Sequence, residues 1–211
     1  MNIQNLYKIV RFPFRKRRME KFLTTFVINK SDRILDVGGT VDNWEFIDCY
    51  NDIVLLNILK PSNQKESLPR NISFVLGDGT SLPYGDKIFD IVFSNSVIEH
   101  VGNAEKQKLL AKEVLRVGKR VWVQTPAKEF FFELHYLTPF IHWFPKKFQK
   151  KILKNLSLWG LIVRPSQKYI DDFVEKTKLV TFKELQTLFP GCKIIKEKFL
   201  FMTKSYIVIR L

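Results

Sequence analysis

From Arg33 onward, short apolar runs alternate with longer amphipathic stretches. Arg33–Val37 (RILDV) is a short apolar run that ends in glycines, the pattern of a buried parallel strand. Ile53–Leu59, Ile72–Leu76, Phe89–Ser94 (FDIVFS) and Arg120–Gln124 (RVWVQ) repeat it. Between them, Val41–Tyr50 reads as a helix, and Ala104–Val117 carries Leu109, Leu110, Val114 and Leu115 at helical spacing. Strands alternating with helices predict parallel crossovers and a doubly wound, mostly parallel α/β sheet.

Three segments depart from that alternation. Residues 1–30 read as a basic helical lead-in, with Leu6, Ile9 and Val10 on one face and Phe22, Leu23, Phe26 and Val27 on another. Pro13 is expected to separate the two pieces. Residues 127–180 are aromatic and basic, with prolines at 139, 145 and 165, and are too long for an ordinary loop. They predict a helical insertion. After a helix at Thr181–Leu188 and a Pro190-Gly191 turn, Lys193–Phe201 and Ser205–Leu211 form strands joined at Met202–Lys204. Strands so close in sequence pair antiparallel. The whole of 1–211 is expected to be one domain carrying these elaborations.

Composition narrows the class. Of 211 residues, 45% are hydrophobic and 27% charged, a globular balance that can bury a core without staples. Thirty-five Lys and Arg against 21 Asp and Glu leave +14, which points to anionic partners: nucleic acid, a membrane surface or a phosphorylated substrate. Cys49 and Cys192 are too few for a disulfide framework or a four-cysteine zinc site. No run approaches the roughly 18 apolar residues of a membrane span. Arg15–Arg18 stand where a signal peptide would be apolar, so a cytoplasmic chain is expected.

Two motifs carry chemistry. Asp36-Val37-Gly38-Gly39-Thr40 follows the first strand and precedes a helical segment, where open α/β sheets bind ligands. Its glycines admit a ligand close to the backbone. It is neither a Walker A loop nor a complete G-x-G-x-x-G. The second motif runs from Gly77-Asp78-Gly79-Thr80-Ser81-Leu82-Pro83-Tyr84 through Phe89-Asp90 to Ser96-Val97-Ile98-Glu99-His100. Together these pieces resemble the class I S-adenosylmethionine-dependent methyltransferases, in the small-molecule branch with a "GDA-x-x-LPF…FD…EH" pattern. The resemblance covers about Arg33 to Pro126. It implies a Rossmann-like, seven-stranded fold whose last two strands are the terminal hairpin.

The resemblance also implies roles. Asp36 complements the cationic end of S-adenosylmethionine, directly or through water, and Gly38, Gly39 and Thr40 pass close to its amino acid moiety. Asn57 stands where the family usually has an acidic residue on the ribose diol, and an amide lacks a carboxylate's charge-assisted strength. Asp78 accepts from the adenine amine, with Gly79 and Thr80 along the ring edge. Asn95, Ser96 and Val97 face the methyl donor. His100 belongs to the active-site rim or serves as a base; equally, it hydrogen-bonds backbone and orders its loop.

In such a fold the acceptor is met by the insertion and the N-terminal helices. Glu133, His135 and the Pro139-Phe140-Ile141-His142-Trp143-Phe144-Pro145 stretch resemble an E-x-H…PF-x-HW-x-P arrangement of bacterial methyltransferases that modify surface polysaccharides or lipids. Glu133, His135 and His142 form an acid/base set, with His135 the leading base, or else pin the insertion by hydrogen bonds. Carboxylate plus two histidines is also a metal-ligand set, but no metal is expected. Lys146, Lys147, Lys150, Lys151 and Lys154 alternate with Phe148, Ile152 and Leu153 as a basic amphipathic helix. Such a helix rests on anionic lipid, holds an anionic substrate or is a solvated face. The leading expectation is methyl transfer to an oxygen or nitrogen of a small-molecule, glycan or lipid-like acceptor, with peripheral contact to an anionic membrane. A non-catalytic scaffold of the same fold, favoured by Asn57, and an RNA methyltransferase, favoured by the charge, stay open.

Overall fold

The computed structural model describes the backbone of residues 3–47, 49, 51–59 and 68–211, with side chains from residue 12 onward. Seven strands form the main sheet: β1 (Ile34–Val37), β2 (Ile53–Asn57), β3 (Ile72–Leu76), β4 (Phe89–Asn95), β5 (Gly118–Pro126), β8 (Lys193–Phe199) and β9 (Met202–Arg210). Their order is β3-β2-β1-β4-β5-β9-β8. The first five run parallel, and β9 lies antiparallel to both β5 and β8. The predicted doubly wound sheet with a terminal antiparallel hairpin is therefore present.

Strand alternation splits the core into two faces. Val121, Val123 and Val208 pack with Leu110, Val114 and Phe189 on one face. Trp122, Ile207 and Ile209 pack with Met19, Phe22, Phe26 and Trp44 on the other. The first face is covered by helix α2 (Ala104–Val117), whose buried residues Gln107, Leu110, Ala111, Val114 and Val117 form one stripe. Asn103 caps it by accepting from the Lys106 amide. Thr181 and Glu184 form a reciprocal capping box on α6 (Phe182–Leu188).

The opposite face is covered by α1 (Ile3–Thr25), and here the structure corrects the sequence. Pro13 lies inside one continuous helix and divides nothing. A mid-helix proline forfeits a hydrogen bond, but Met19, Phe22 and Phe26 are buried, and Phe22 meets Phe93, Trp122 and Trp44 edge to face. Tertiary burial outweighs the local break. The Leu6, Ile9 and Val10 face lies outside the described side chains. The expected Val41–Tyr50 helix is a 3-10 turn at Val41–Phe46, ended by extended Ile47, with Tyr50 outside the described residues. β2 stops at Asn57, short of exposed Ile58 and Leu59. The hairpin turns at Leu200-Phe201, both with positive φ, and the predicted connection Met202–Lys204 is already strand.

The insertion, residues 127–180, lies between β5 and α6. Ala127 and Val180 pair as a parallel bridge at its base. It is not wholly helical: a small hairpin, β6 (Phe132–Glu133) with β7 (Thr138–Pro139), precedes α3 (Lys146–Leu156), α4 (Leu158–Val163) and α5 (Gln167–Lys176). Tyr136, Ile141, Leu153, Trp159, Ile170 and Val174 give it a core of its own.

Candidate active site

The glycine loop leaves β1 at the carboxyl end of the sheet. Gly38 has φ +74°, and a Cβ there would come within 2.5 Å of Val97 Cγ2. Only glycine fits that position without strain. A Cβ on Gly39 would run into the Asp36 carboxylate. Asp36 is fully buried, and Trp44 Nε1 donates to its Oδ2 at 2.9 Å. Burial pushes its pKa up to about 8, although Trp44, Asn43 and the Arg15 charge pull the other way.

A cavity of about 440 Å³ opens beside this loop. Gly38, Asn57, Asp78, Gly79, Thr80, Ser96, Val97 and His100 all line it. Its volume lies within the range of small-molecule sites. Asn57 Nδ2 reaches the Gly39 carbonyl at 3.4 Å, so the amide ties β2 to the glycine loop. Asp78 Oδ1 accepts from the Thr80 amide and hydroxyl, each at 2.8 Å, and the amide bond chiefly lowers its pKa. Asp36, Gly39, Thr40 and Asn95 do not line this cavity. Asn95 shares its strand face with Phe93, toward α1, and Arg18 Nη1 donates to its Oδ1 at 2.8 Å.

Ser96 follows with φ +58°, and its hydroxyl donates to Gln124 Oε1 at 2.9 Å. It also lines a second, small cavity of about 60 Å³, walled by Phe14, Arg15, Arg18, Gln124, His135 and Lys204 among others. The sequence presents Arg18 only as a member of the basic Arg15–Arg18 run. It is 6% exposed and paired with Glu197 at 3.2 Å, and Ser205 donates to the same carboxylate. Its sequence signal is register: Arg18 lies beside Met19 and one turn before Phe22, on the helix side that faces the sheet.

Between the cavities stand His100 and His135, Nε2 to Nε2 at 3.0 Å. Glu133 accepts from His135 Nδ1 at 2.5 Å and from the His135 and Tyr136 amides at 2.8 and 2.9 Å. Glu133 is buried, which alone would raise its pKa, yet His135 holds it below the usual value. With Nδ1–H directed at that carboxylate, His135 presents a lone pair at Nε2 to the His100 ring. Phe173 of α5 stacks on His100 and meets His135 edge to face. The Ile98–His100 turn is anchored by Gln107 Nε2, which donates to the Ile98 and Lys178 carbonyls, and by the Lys178 amide, which donates to the Glu99 carbonyl. Glu99, quoted in the sequence motif without a role, is fully buried and accepts from Thr125 Oγ1 at 3.0 Å. Burial raises its pKa. His142 lies with Glu133 on a third cavity, of about 550 Å³, but hydrogen-bonds elsewhere. Its Nε2 bonds the Lys128 carbonyl at 3.0 Å, and burial lowers its pKa.

Residues 47–121 match the family described as a methyltransferase domain. That segment and the sheet order are consistent with a class I methyltransferase. This methyltransferase fold is shared with the PH0226 protein of Pyrococcus horikoshii OT3, at TM-score 0.55 and 17% identity over 94% of this chain and 89% of that one. An S-adenosylmethionine-dependent methyltransferase of Methanosarcina mazei superposes with TM-score 0.50 and 16% identity, over 86% and 92%. The [4+2]-cyclase SpnF is matched at 21% identity over 55% of this chain, which spans 46% of that protein, at TM-score 0.45. The methyltransferase class implies S-adenosylmethionine, and the residues present fit it. Gly38 leaves room that any side chain would fill, and Asn57 and Asp78 end β2 and follow β3 on one cavity wall. Among the described residues, no helix is long and apolar enough to cross a membrane.

Proposed function

We propose that this protein transfers a methyl group from S-adenosylmethionine to an oxygen or nitrogen of a small-molecule, glycan or lipid-like acceptor. The observation that carries the reading is Ser96, which lines both cavities: one behind the glycine loop, the other walled by the insertion and α1. A donor in the first space and the reacting group of an acceptor in the second meet at one point, and most of the acceleration comes from that positioning. When bound, S-adenosylmethionine supplies an electrophilic sulfonium methyl. Asp78 and Asn57 hold its adenosine end, and Gly38 its amino acid end. His135, oriented by Glu133 and touching His100, takes the proton of the acceptor O–H or N–H.

The small cavity narrows the acceptor class. Arg15, Arg18 and Lys204 line it beside Phe14, Pro126 and Leu134, so an anionic group next to an apolar body suits it. The outer surface supports an amphiphile. Trp143, Phe144 and Phe148 are exposed beside Lys147, Lys151 and Lys154, and exposed Leu158, Leu161, Ile162 and Val163 continue the patch. The hairpin tip carries Leu200 and a 99% exposed Phe201. Such a mixture of aromatic, aliphatic and basic groups suits the interface of an anionic membrane.

Calorimetry with S-adenosylmethionine, followed by transfer of labelled methyl to lipid and glycan acceptors, tests the proposal. Absence of cofactor binding defeats it. Cofactor binding without transfer to any acceptor class returns the chain to the scaffold reading.

A further inference from the structure

We propose that Glu99, His100 and His135 bind one divalent transition-metal ion of the zinc class, with Glu133 orienting the His135 ligand. One ligand atom from each of the three residues lies within 4.8 Å of the others. At metal–ligand distances of about 2.0–2.2 Å, ligand atoms around such an ion stand roughly 3.3–3.6 Å apart. The two imidazole Nε2 atoms stand at 3.0 Å, so an ion would spread the rings slightly and draw the Glu99 carboxylate in from within 4.8 Å. A cation there replaces the proton the two rings share.

Glu99 is the independent sign. It is fully buried, Thr125 occupies its Oε2, and its Oε1 has no hydrogen-bond partner among the described residues. A buried carboxylate oxygen left unpaired is costly unless something cationic meets it. Glu133 completes the arrangement, because its carboxylate accepts a hydrogen bond from His135 Nδ1–H at 2.5 Å, which leaves Nε2 as the ligand. A carboxylate behind a ligating histidine fixes the tautomer and raises its basicity. Glu99 and Glu133 together supply the negative charge to balance a dication. Two nitrogens and one oxygen suit zinc, cobalt or iron(II), and suit neither a thiolate-seeking ion nor an all-oxygen calcium site.

The ligand set differs from the one weighed in the sequence. His142 is turned onto the Lys128 carbonyl, and the place it would have taken is filled by Glu99 and His100 from the end of β4. Three protein ligands leave a coordination position open, as in catalytic rather than structural sites. His100 lines the larger cavity and His135 the smaller, so the ion would sit on the boundary between them. With the ion bound, the His135 Nε2 lone pair is taken, so polarisation of an acceptor oxygen by the ion would stand in place of proton transfer to His135; that step rests on the methyl-transfer reading, and the ion site does not.

The full-length chain, stripped with chelator, should take up one Co2+ with a ligand-field absorption spectrum, and Zn2+ should displace it. Glu133→Gln should weaken binding roughly 10–100-fold, and the double variant His100→Gln/His135→Gln should lose it. A melting curve and cofactor calorimetry report whether each variant folds. X-ray absorption on the cobalt-loaded wild type, which needs no variant, should show imidazole in the metal's shell. No uptake by the wild type, unchanged affinity in the folded double variant, or a shell without imidazole would overturn the proposal. Metal uptake without cofactor binding keeps this site and defeats methyl transfer; the converse defeats the site alone.

Discussion

His100 and His135 face each other Nε2 to Nε2 at 3.0 Å although 35 positions separate them in the chain. One comes from the turn after β4 and the other from the insertion after β5, so the contact exists only when the insertion is seated. It puts the proposed base, His135, on a different element from the glycine loop.

His135→Ala should therefore depress turnover by roughly 100-fold or more, the usual scale of acid–base assistance. S-adenosylmethionine affinity should stay nearly unchanged, since His135 lines the small cavity and not the larger one. Steady-state kinetics beside calorimetry separates the two; equal loss of both would refute the division.

Gly38→Val should abolish cofactor binding. Its Cβ would press on Val97, and φ +74° is costly for a β-branched residue. Wild-type affinity in calorimetry would show that the donor lies elsewhere.

Asp78→Ala should erase the preference for the adenine amine, worth about 1–3 kcal/mol for a charged acceptor. Binding of S-adenosylmethionine against an amine-free analogue measures it. Retention of the wild-type preference in the variant would remove Asp78 from adenine recognition.

Asp36 links stability to pH. Its folded pKa of about 8 lies above the ordinary 3.8, so the native state holds a proton that the unfolded chain releases earlier. Stability from this group is full below about pH 4 and falls as pH rises toward 8, by up to about 1.4 kcal/mol per pH unit. Denaturant melts across that window should show the decline in wild type and a flatter profile in Asp36→Asn. Parallel profiles would show that Asp36 titrates normally.

Charge reversal at Lys147, Lys151 and Lys154 should weaken sedimentation with anionic vesicles, by about 1 kcal/mol per lysine near the surface. The effect should be largest at low salt. Lys146 and Lys150 are poorer choices, because both pair with Glu175, at 3.1 and 2.8 Å. A wild type that ignores anionic vesicles at low salt would leave a freely diffusing acceptor.

Local pattern determined a good deal of this protein. The sequence reading of α2 as Ala104–Val117 coincides with the helix, β3 is found at Ile72–Leu76, and the insertion closes at Ala127 and Val180. The glycine loop falls between β1 and a helical turn, as its spacing implies. These features rest on interactions within one turn or on burial period, which neighbouring residues report. Asn95 follows the same rule: it is two residues from buried Phe93 and so shares its face, away from the cavity beside the glycine loop. Tertiary structure alone decided the rest. Packing on the sheet carried α1 through Pro13, turned Arg18 inward and held Val41–Phe46 to a 3-10 turn with Trp44 on Asp36. The insertion's fold carried His135 to His100 and Glu133, and left His142 on a backbone carbonyl. Periodicity says which side of an element is buried; which distant group meets it there depends on how the elements pack, and that information is spread over the whole chain.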